Sequence, residues 1–432
     1  MAQHLKANHW PALLTAALGL VAAVAGASVY TAAGGVRSGK SVEPELIWTT
    51  EPTAEAKSGA RASLTGYSLS PGLLKIMSDP KRGNPTQVHG VLGMPEGDGP
   101  HPVVLVLHGT HPNCVTVGKE DLVARDPVRT RRPLVCADPK NPKEVPGVGP
   151  DYLRQDAGLS HIVEALTRKG FVAVSIDVVS PEVWWGGEPD TEKGYTALID
   201  AHLRLLSDLD KGIGHGLKIK DLKGRIDTSR VGLVGHSRGG GYVLTPKAAK
   251  RAGLFGAVAI QPEPMAEKAS HTVPVLNIRG ACDEDTGPQA GLTTMQALAT
   301  SRSTKVAADV LLAGTGHRML NTNLSPAPAK DGGCTASELA SPAAAQAQVA
   351  QLTASFLAQA LHQAPAYRLP ALDGLTPTGR NLRKDGPSIT FAKTSPETFA
   401  NPHKIPETTS KDRVLPAIPK DLKVNKNPDA GI

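Results

Sequence analysis

The sequence predicts an α/β fold, a mainly parallel sheet with helices on both faces, followed by a proline-rich C-terminal tail. Three observations carry this expectation. Short apolar runs recur along the middle of the chain, stretches of helical spacing separate most of them, and regular patterning fades after Pro365. Buried strands that alternate with helices build a parallel sheet, because each crossover lays a helix over one face and the strands lose the polar alternation of a half-exposed sheet. A chain of 432 residues has ample material for a buried core. No internal repeat of the kind that builds solenoids or propellers is visible.

The elements follow in order. QVHGVLGMP (Gln87 to Pro95) and HPVVLVLHG (His101 to Gly109) are strand candidates joined by the turn EGDG; the second has five consecutive apolar residues, Val103 to Leu107, as a strand buried on both faces requires. From Asp156 to Lys169, Leu159, Ile162, Val163 and Leu166 fall at i, i+3, i+4 and i+7, one face of a helix that Gly170 ends. FVAVSIDV is the next strand, and a loop carrying Trp184 and Trp185 follows it. A second helix runs through Leu198, Ile199, Leu205, Leu206 and Leu209. VGLVG, LFGAVAIQP, TVPVLNIRG and VAADVLLAG complete the strands, and a last helix spans Ala343 to about Gln363. From Pro365 the chain has ten prolines in 68 residues, a composition that predicts an extended or disordered tail with little regular structure. The expected organisation is a leader at 1–27, an extension at 28–86, the α/β domain at 87–364 and the tail at 365–432.

The first residues carry one lysine, an apolar run from about Pro11 and small residues that include Ala25-Gly26-Ala27. These are the regions of a secretory signal, with cleavage after Ala27; an uncleaved membrane anchor is the alternative. The mature chain is expected to be secreted, monomeric and without a membrane span. Its formal charge of +7 is not gathered into a patch with interleaved aromatics, so nucleic acid is not an expected partner. In an oxidising compartment four cysteines allow three disulfide pairings. The spacings from Cys114 to Cys136 and from Cys282 to Cys334 favour two local bridges. Nothing has C-x-x-C or H-x-x-x-H spacing, so no metal site is expected.

In a parallel sheet, functional residues gather beyond the carboxyl ends of the strands. VGLVGHSRGGG (Val231 to Gly241) is a strand that runs straight into Gly-x-Ser-x-Gly. A sharp strand-to-helix bend would hold Ser237 as a nucleophile, and glycines would flank it because a side chain there collides with the turn. A serine hydroxyl needs a base to take its proton and a carboxylate to orient that base. The sequence supplies both downstream: Asp283 follows TVPVLNIRG, with Glu284 and Asp285 as close rivals, and His317 follows VAADVLLAG. The backbone N–H groups of Thr110 and Arg238 stand where an oxyanion would be stabilised. Trp184 and Trp185 either line a substrate pocket or pin their loop to the core.

The segments VLVLHGTHPNC, GFVAVSIDV, RIDTSRVGLVGHSRGGG, LNIRGACDEDTG and LLAGTGHRMLN span Val103 to Asn321. In that order they resemble secreted bacterial esterases of the α/β-hydrolase superfamily, of the dienelactone hydrolase, platelet-activating-factor acetylhydrolase and polyester hydrolase type. The resemblance implies an α/β-hydrolase fold, a triad of Ser237, Asp283 and His317, no cofactor, and bridges Cys114–Cys136 and Cys282–Cys334. The expected activity is hydrolysis of a small or polymeric carboxylic ester through an acyl-enzyme. A peptidase or amidase, and an inactive cell-surface binding protein, are the alternatives. Two features depart from the pattern: Pro246 should shorten or kink the helix after the serine, and the loop from Asn113 to Gly149 is long. GGVRSGKS (Gly34 to Ser41) matches a phosphate-binding loop in letters. It lacks the preceding buried strand and the following helix that such a loop requires. His202, on the apolar side of its helix, is expected to be a core residue.

Overall fold

In the computed structural model, side chains are described at 62–69, 88–111, 154–178, 192–264, 271–300, 305–324, 334–370 and 405–406, together with the backbone of a few further strands and of the start of one helix. The leader, the Gly34 to Ser41 motif, Cys114, the side chain of Cys136, Trp184 and Trp185 lie outside the described residues, as does most of the 113–149 loop.

Ten strands form one mixed sheet. They are β1 (Ser63–Leu69), β2 (Val88–Met94), β3 (His101–Leu107), β4 (Val172–Ile176), β5 (Ile226–His236), β6 (Leu254–Ile260), β7 (Val275–Gly280), β8 (Ala307–Leu312), β9 (Pro377–Asn381) and β10 (Glu407–Thr409). Their spatial order is β9-β8-β7-β6-β5-β3-β4-β2-β1-β10. From β4 through β8 every pairing is parallel. The pairs β1–β2, β2–β4 and β8–β9 are antiparallel. β4 inserts between β2 and β3, so the strands on either side of the EGDG turn are not neighbours.

The helices are α1 (Ser160–Arg168), α2 (Asp190–Asp210), α3 (Arg238–Val243), α4 (Pro246–Ala249), α5 (Leu292–Thr300) and α6 (Pro342–Leu361). A strand presents alternate residues to opposite faces, and β3 divides accordingly. Val104 and Val106 join the core under α1 and α6, whereas Val103, Leu105 and Leu107 join the core under α2, α3 and α5. All five are fully buried, and each stabilises the fold by about 1.5–3 kcal/mol relative to exposure. The sheet is therefore covered on both faces, as the uninterrupted apolar run predicts. Among the described residues no helix is long and apolar enough to cross a membrane.

The expected break after the serine is present. Pro246 cannot continue a helix because it lacks an N–H, so α3 stops at Val243. Pro246 opens α4 instead, and the Thr245 hydroxyl accepts a hydrogen bond from the Ala248 N–H as its cap.

The C-terminal region, expected as an extended or disordered tail, contributes short strands. β9 pairs with the β8 edge and β10 with the β1 edge of the sheet. Tyr367–Ala371, Ile389–Lys393 and Ile47–Thr49 form a separate three-stranded parallel sheet. Tyr367 of that sheet packs on Phe356 of α6, ring centroids 5.0 Å apart. His202 is fully buried, and its Nδ1 is hydrogen-bonded to the Tyr67 hydroxyl at 2.5 Å.

Candidate active site

β5 ends at His236, and α3 begins at Arg238. Between them Ser237 has φ +57° and ψ −125°, a backbone conformation that costs a residue with a side chain about 1–3 kcal/mol and persists only where the surroundings impose it. Here they do. The Ser237 N–H donates to Ile260 O at 3.0 Å, and its carbonyl accepts from Gly241 N and Glu263 N, both at 2.9 Å. A Cβ on Gly235 would lie 2.1 Å from Gly239 O, and one on Gly239 would lie 2.6 Å from His108 O. Both glycines of the motif are therefore required by the closeness of the bend. Ser237 itself is buried.

The loop after β3 presses against the serine. A Cβ on Gly109 would lie 2.3 Å from Ser237 Cβ and 3.2 Å from Arg238 N. This places the loop that carries Thr110 beside the first N–H of α3, where the N-terminal amides of a helix have no partner within it. The Arg238 side chain turns aside and makes a two-pronged pair with Glu263, at 2.9 and 3.1 Å.

Asp283 follows β7, and His317 follows β8. The His317 Nδ1–H donates to Asp283 Oδ2 at 3.2 Å, with both side chains fully buried. The carboxylate also accepts from the Asp285 and Thr286 N–H groups at 3.0 and 2.9 Å and from the Thr286 hydroxyl at 2.7 Å. Burial works against its ionised form. The hydrogen bond and charge of His317, together with the donors of Thr286, outweigh that penalty and hold its pKa below the ordinary carboxylate value. Of the two rivals, Asp285 lies mostly exposed with Oδ2 3.6 Å from His317 Nε2, on the far side of the ring. Of these two aspartates, Asp283 is the one hydrogen-bonded to the Nδ1 of the imidazole.

The disulfide Cys282–Cys334, with Cα atoms 5.6 Å apart, ties the residue next to Asp283 to the start of the segment leading into α6. The span it closes contains Asp283, Asp285 and His317. The pairing is the one that the resemblance implies.

Two histidines at this site escape a sequence reading that seeks ligands at fixed short spacings. His111 follows the Gly109 loop, and His236 is the last residue of β5. The ring of His236 lies 4.5 Å from that of His317 by centroids, and the ring of His111 lies 5.4 Å from His236 and 6.0 Å from His317. Burial lowers the pKa of His236 and His111 well below the usual histidine value. The neighbouring imidazoles His317 and His111 add to it for His236, and His108 and His317 for His111. Both rings are therefore neutral near pH 7. The available signal was positional: all three histidines come just after, or at, the carboxyl end of a parallel strand. His108 sits deeper, in contact with Gly109 O at 2.7 Å and Asp177 at 3.3 Å.

A cavity of about 330 Å³ is lined by Gly241, Leu244, Pro262, Glu263, Thr286 and Ala290 among others. It borders the helix after the serine and the turn that holds the acid. Compared with known protein families and with curated proteins, the chain matches none of them.

Proposed function

We propose that the chain is an exported serine hydrolase of the α/β-hydrolase type that cleaves carboxylic esters through an acyl-enzyme. The observation that supports this reading best is the pairing of His317 Nδ1 with Asp283. It leaves Nε2 of the same ring buried and without a hydrogen-bond partner among the described residues, Ser237 included, on a ring whose centroid lies 4.5 Å from that of His236, the residue before the serine.

In this reading Ser237 Oγ attacks the ester carbonyl while His317 Nε2 takes its proton. The positive imidazolium then forms beside the ionised Asp283, which stabilises it and keeps the ring in place. The negative charge on the former carbonyl oxygen falls between the N–H groups of Arg238 and Thr110, whose loops the glycine at 109 brings together. The tetrahedral intermediate collapses, the C–O bond to the alcohol breaks, and Nε2–H protonates the departing alkoxide. Water then repeats the sequence on the acyl-enzyme and releases the acid, returning the proton to Ser237. The strand order and the succession of serine, acid and histidine after β5, β7 and β8 agree with this assignment.

The test is labelling by a fluorophosphonate together with turnover of p-nitrophenyl esters. Wild-type protein should be labelled and active, and Ser237→Ala should lose both. Hydrolysis of peptide amides in preference to esters would reassign the chain as an amidase. A folded wild-type protein that takes no label would make it a binding protein.

A further inference from the structure

Three imidazoles meet at this site, more than ester hydrolysis requires, and besides Asp283 a second carboxylate, Asp285, lies beside one of them. One ring nitrogen from each of His111, His236 and His317 lies within 4.8 Å of the other two. His111 Nε2 and His236 Nδ1 are 3.5 Å apart, and Asp285 Oδ2 is 3.6 Å from His317 Nε2. Two ligand atoms at about 2.0–2.1 Å from a tetrahedral zinc ion stand about 3.3 Å apart, so both pairs are near the separation of neighbouring ligands. The mutually close group is the three histidines, up to 4.8 Å apart; the mostly exposed Asp285 carboxylate and the rings would have to draw together around an ion.

The surrounding hydrogen bonds point the lone pairs inward. Gln261 is fully buried, and its amide nitrogen donates to Gly316 O at 3.1 Å. Its amide oxygen must therefore face His236 Nε2, 3.3 Å away, and an oxygen there accepts a hydrogen bond from Nε2–H. That fixes the tautomer of His236, with an unprotonated Nδ1 turned to His111. Asp283 does the same for His317 by accepting from Nδ1–H, which leaves Nε2 as a lone pair, buried and unpartnered among the described residues. A carboxylate or amide oxygen that holds the outer N–H of a histidine is the usual support of a metal-ligating imidazole.

We propose that His111, His236, His317 and Asp285 form a binding site for a divalent transition ion of the zinc class, and that its occupancy switches hydrolysis off. The inhibitory half rests on the function proposed above. His317 Nε2 has one lone pair; donated to a metal, it cannot accept the proton of Ser237. The metal and the acylation step therefore exclude each other, and chelation restores the free base. Three imidazoles and a carboxylate suit zinc, with cobalt as a visible substitute, and suit calcium and magnesium poorly.

Two measurements on the full-length chain test the proposal. In the first, Co²⁺ is titrated into Ser237→Ala and followed by its visible absorption. A band of tetrahedral cobalt should appear at one equivalent, be displaced by Zn²⁺, and weaken in Ser237→Ala/His111→Ala. The loss of affinity should exceed the roughly 10- to 100-fold that losing an outer-shell partner costs. No band, or an equal band in the His111 variant, would overturn the site. This arm does not depend on ester hydrolysis.

In the second, Zn²⁺ is titrated against ester turnover in wild type, His111→Ala and the gentler His111→Gln. Wild type should be inhibited and recover with EDTA. Each variant's turnover, expressed relative to its own value in EDTA, should need far more zinc for half-inhibition. Equal sensitivity in all three, or turnover raised by zinc, would overturn the exclusion of catalysis by metal. Cobalt binding in a chain that hydrolyses no ester would uphold the site, and it would refute both the inhibitory half and the proposed function.

Discussion

Gly109 and Ser237 come from loops far apart in sequence, yet a methyl group on the first would lie 2.3 Å from Cβ of the second. No side chain fits between them. Gly109→Ala should therefore push the loop after β3 away from Arg238 N, at about 1–3 kcal/mol of stability. Ester turnover should fall by at least about tenfold, because a misplaced donor at the developing oxyanion loses part of the hundredfold or more that such a donor contributes. Thermal unfolding and kcat of the variant check both halves. Unchanged kcat would place the oxyanion donors elsewhere.

The two aspartates near His317 should separate cleanly. Asp283→Asn removes the acceptor that fixes the Nδ1–H tautomer and should lower kcat by about ten-thousandfold. Asp285→Asn, measured with a chelator present, should stay within a few-fold of wild type, since its carboxylate is mostly exposed and lies on the Nε2 side of the ring. Equal losses would move the assignment of the acid.

The bridge Cys282–Cys334 closes a span of 52 residues, and restricting a loop of that length in the unfolded chain stabilises the fold by about 4 kcal/mol. The double variant Cys282→Ser/Cys334→Ser should show a correspondingly lower urea midpoint. It should also lose more turnover than stability alone explains, because both Asp283 and His317 lie within the span. A midpoint equal to wild type would show that packing alone holds the loop.

Stability should fall steeply in mild acid. Burial pushes the pKa of His89 and His271 down to about 4 and of His161 and His202 to about 3, from 6.5. Below pH 6.5 the unfolded chain takes up protons that the folded chain refuses, so stability is full above that value. It is lost as pH falls toward 4, by about 1.4 kcal/mol per unit for each such histidine. Urea unfolding from pH 4.5 to 7 checks the slope. His161→Phe should reduce it by about one proton, and a flat profile would mean that these rings are protonated in the folded state.

Much of this was legible in the sequence for a plain reason: a strand buried on both faces must be apolar throughout, and Val103 to Leu107 or Phe171 to Val174 has nothing else to be. Ser237 was legible because the glycines at 235 and 239 leave room for the bend. Asp283 could be placed in its loop but not separated from Glu284 and Asp285, since only the direction of the imidazole distinguishes them. The convergence of His111, His236 and His317 was invisible, because three strands separated by 125 and then 81 positions in sequence deliver them. The C-terminal strands were hidden by their own composition. Pro377 starts β9, and proline is tolerated at the first position of an edge strand while spoiling the pattern that announces one.

The placement of β9 and β10 has a consequence for biogenesis. Residues from the last part of the polypeptide hydrogen-bond to β8 at one margin of the sheet and to β1 at the other. Until they emerge, both margins present open rows of amide and carbonyl groups to any neighbouring chain, a ready template for intermolecular β pairing. A chain truncated before Pro377 should accordingly be recovered as aggregate even with every residue of the candidate active site intact.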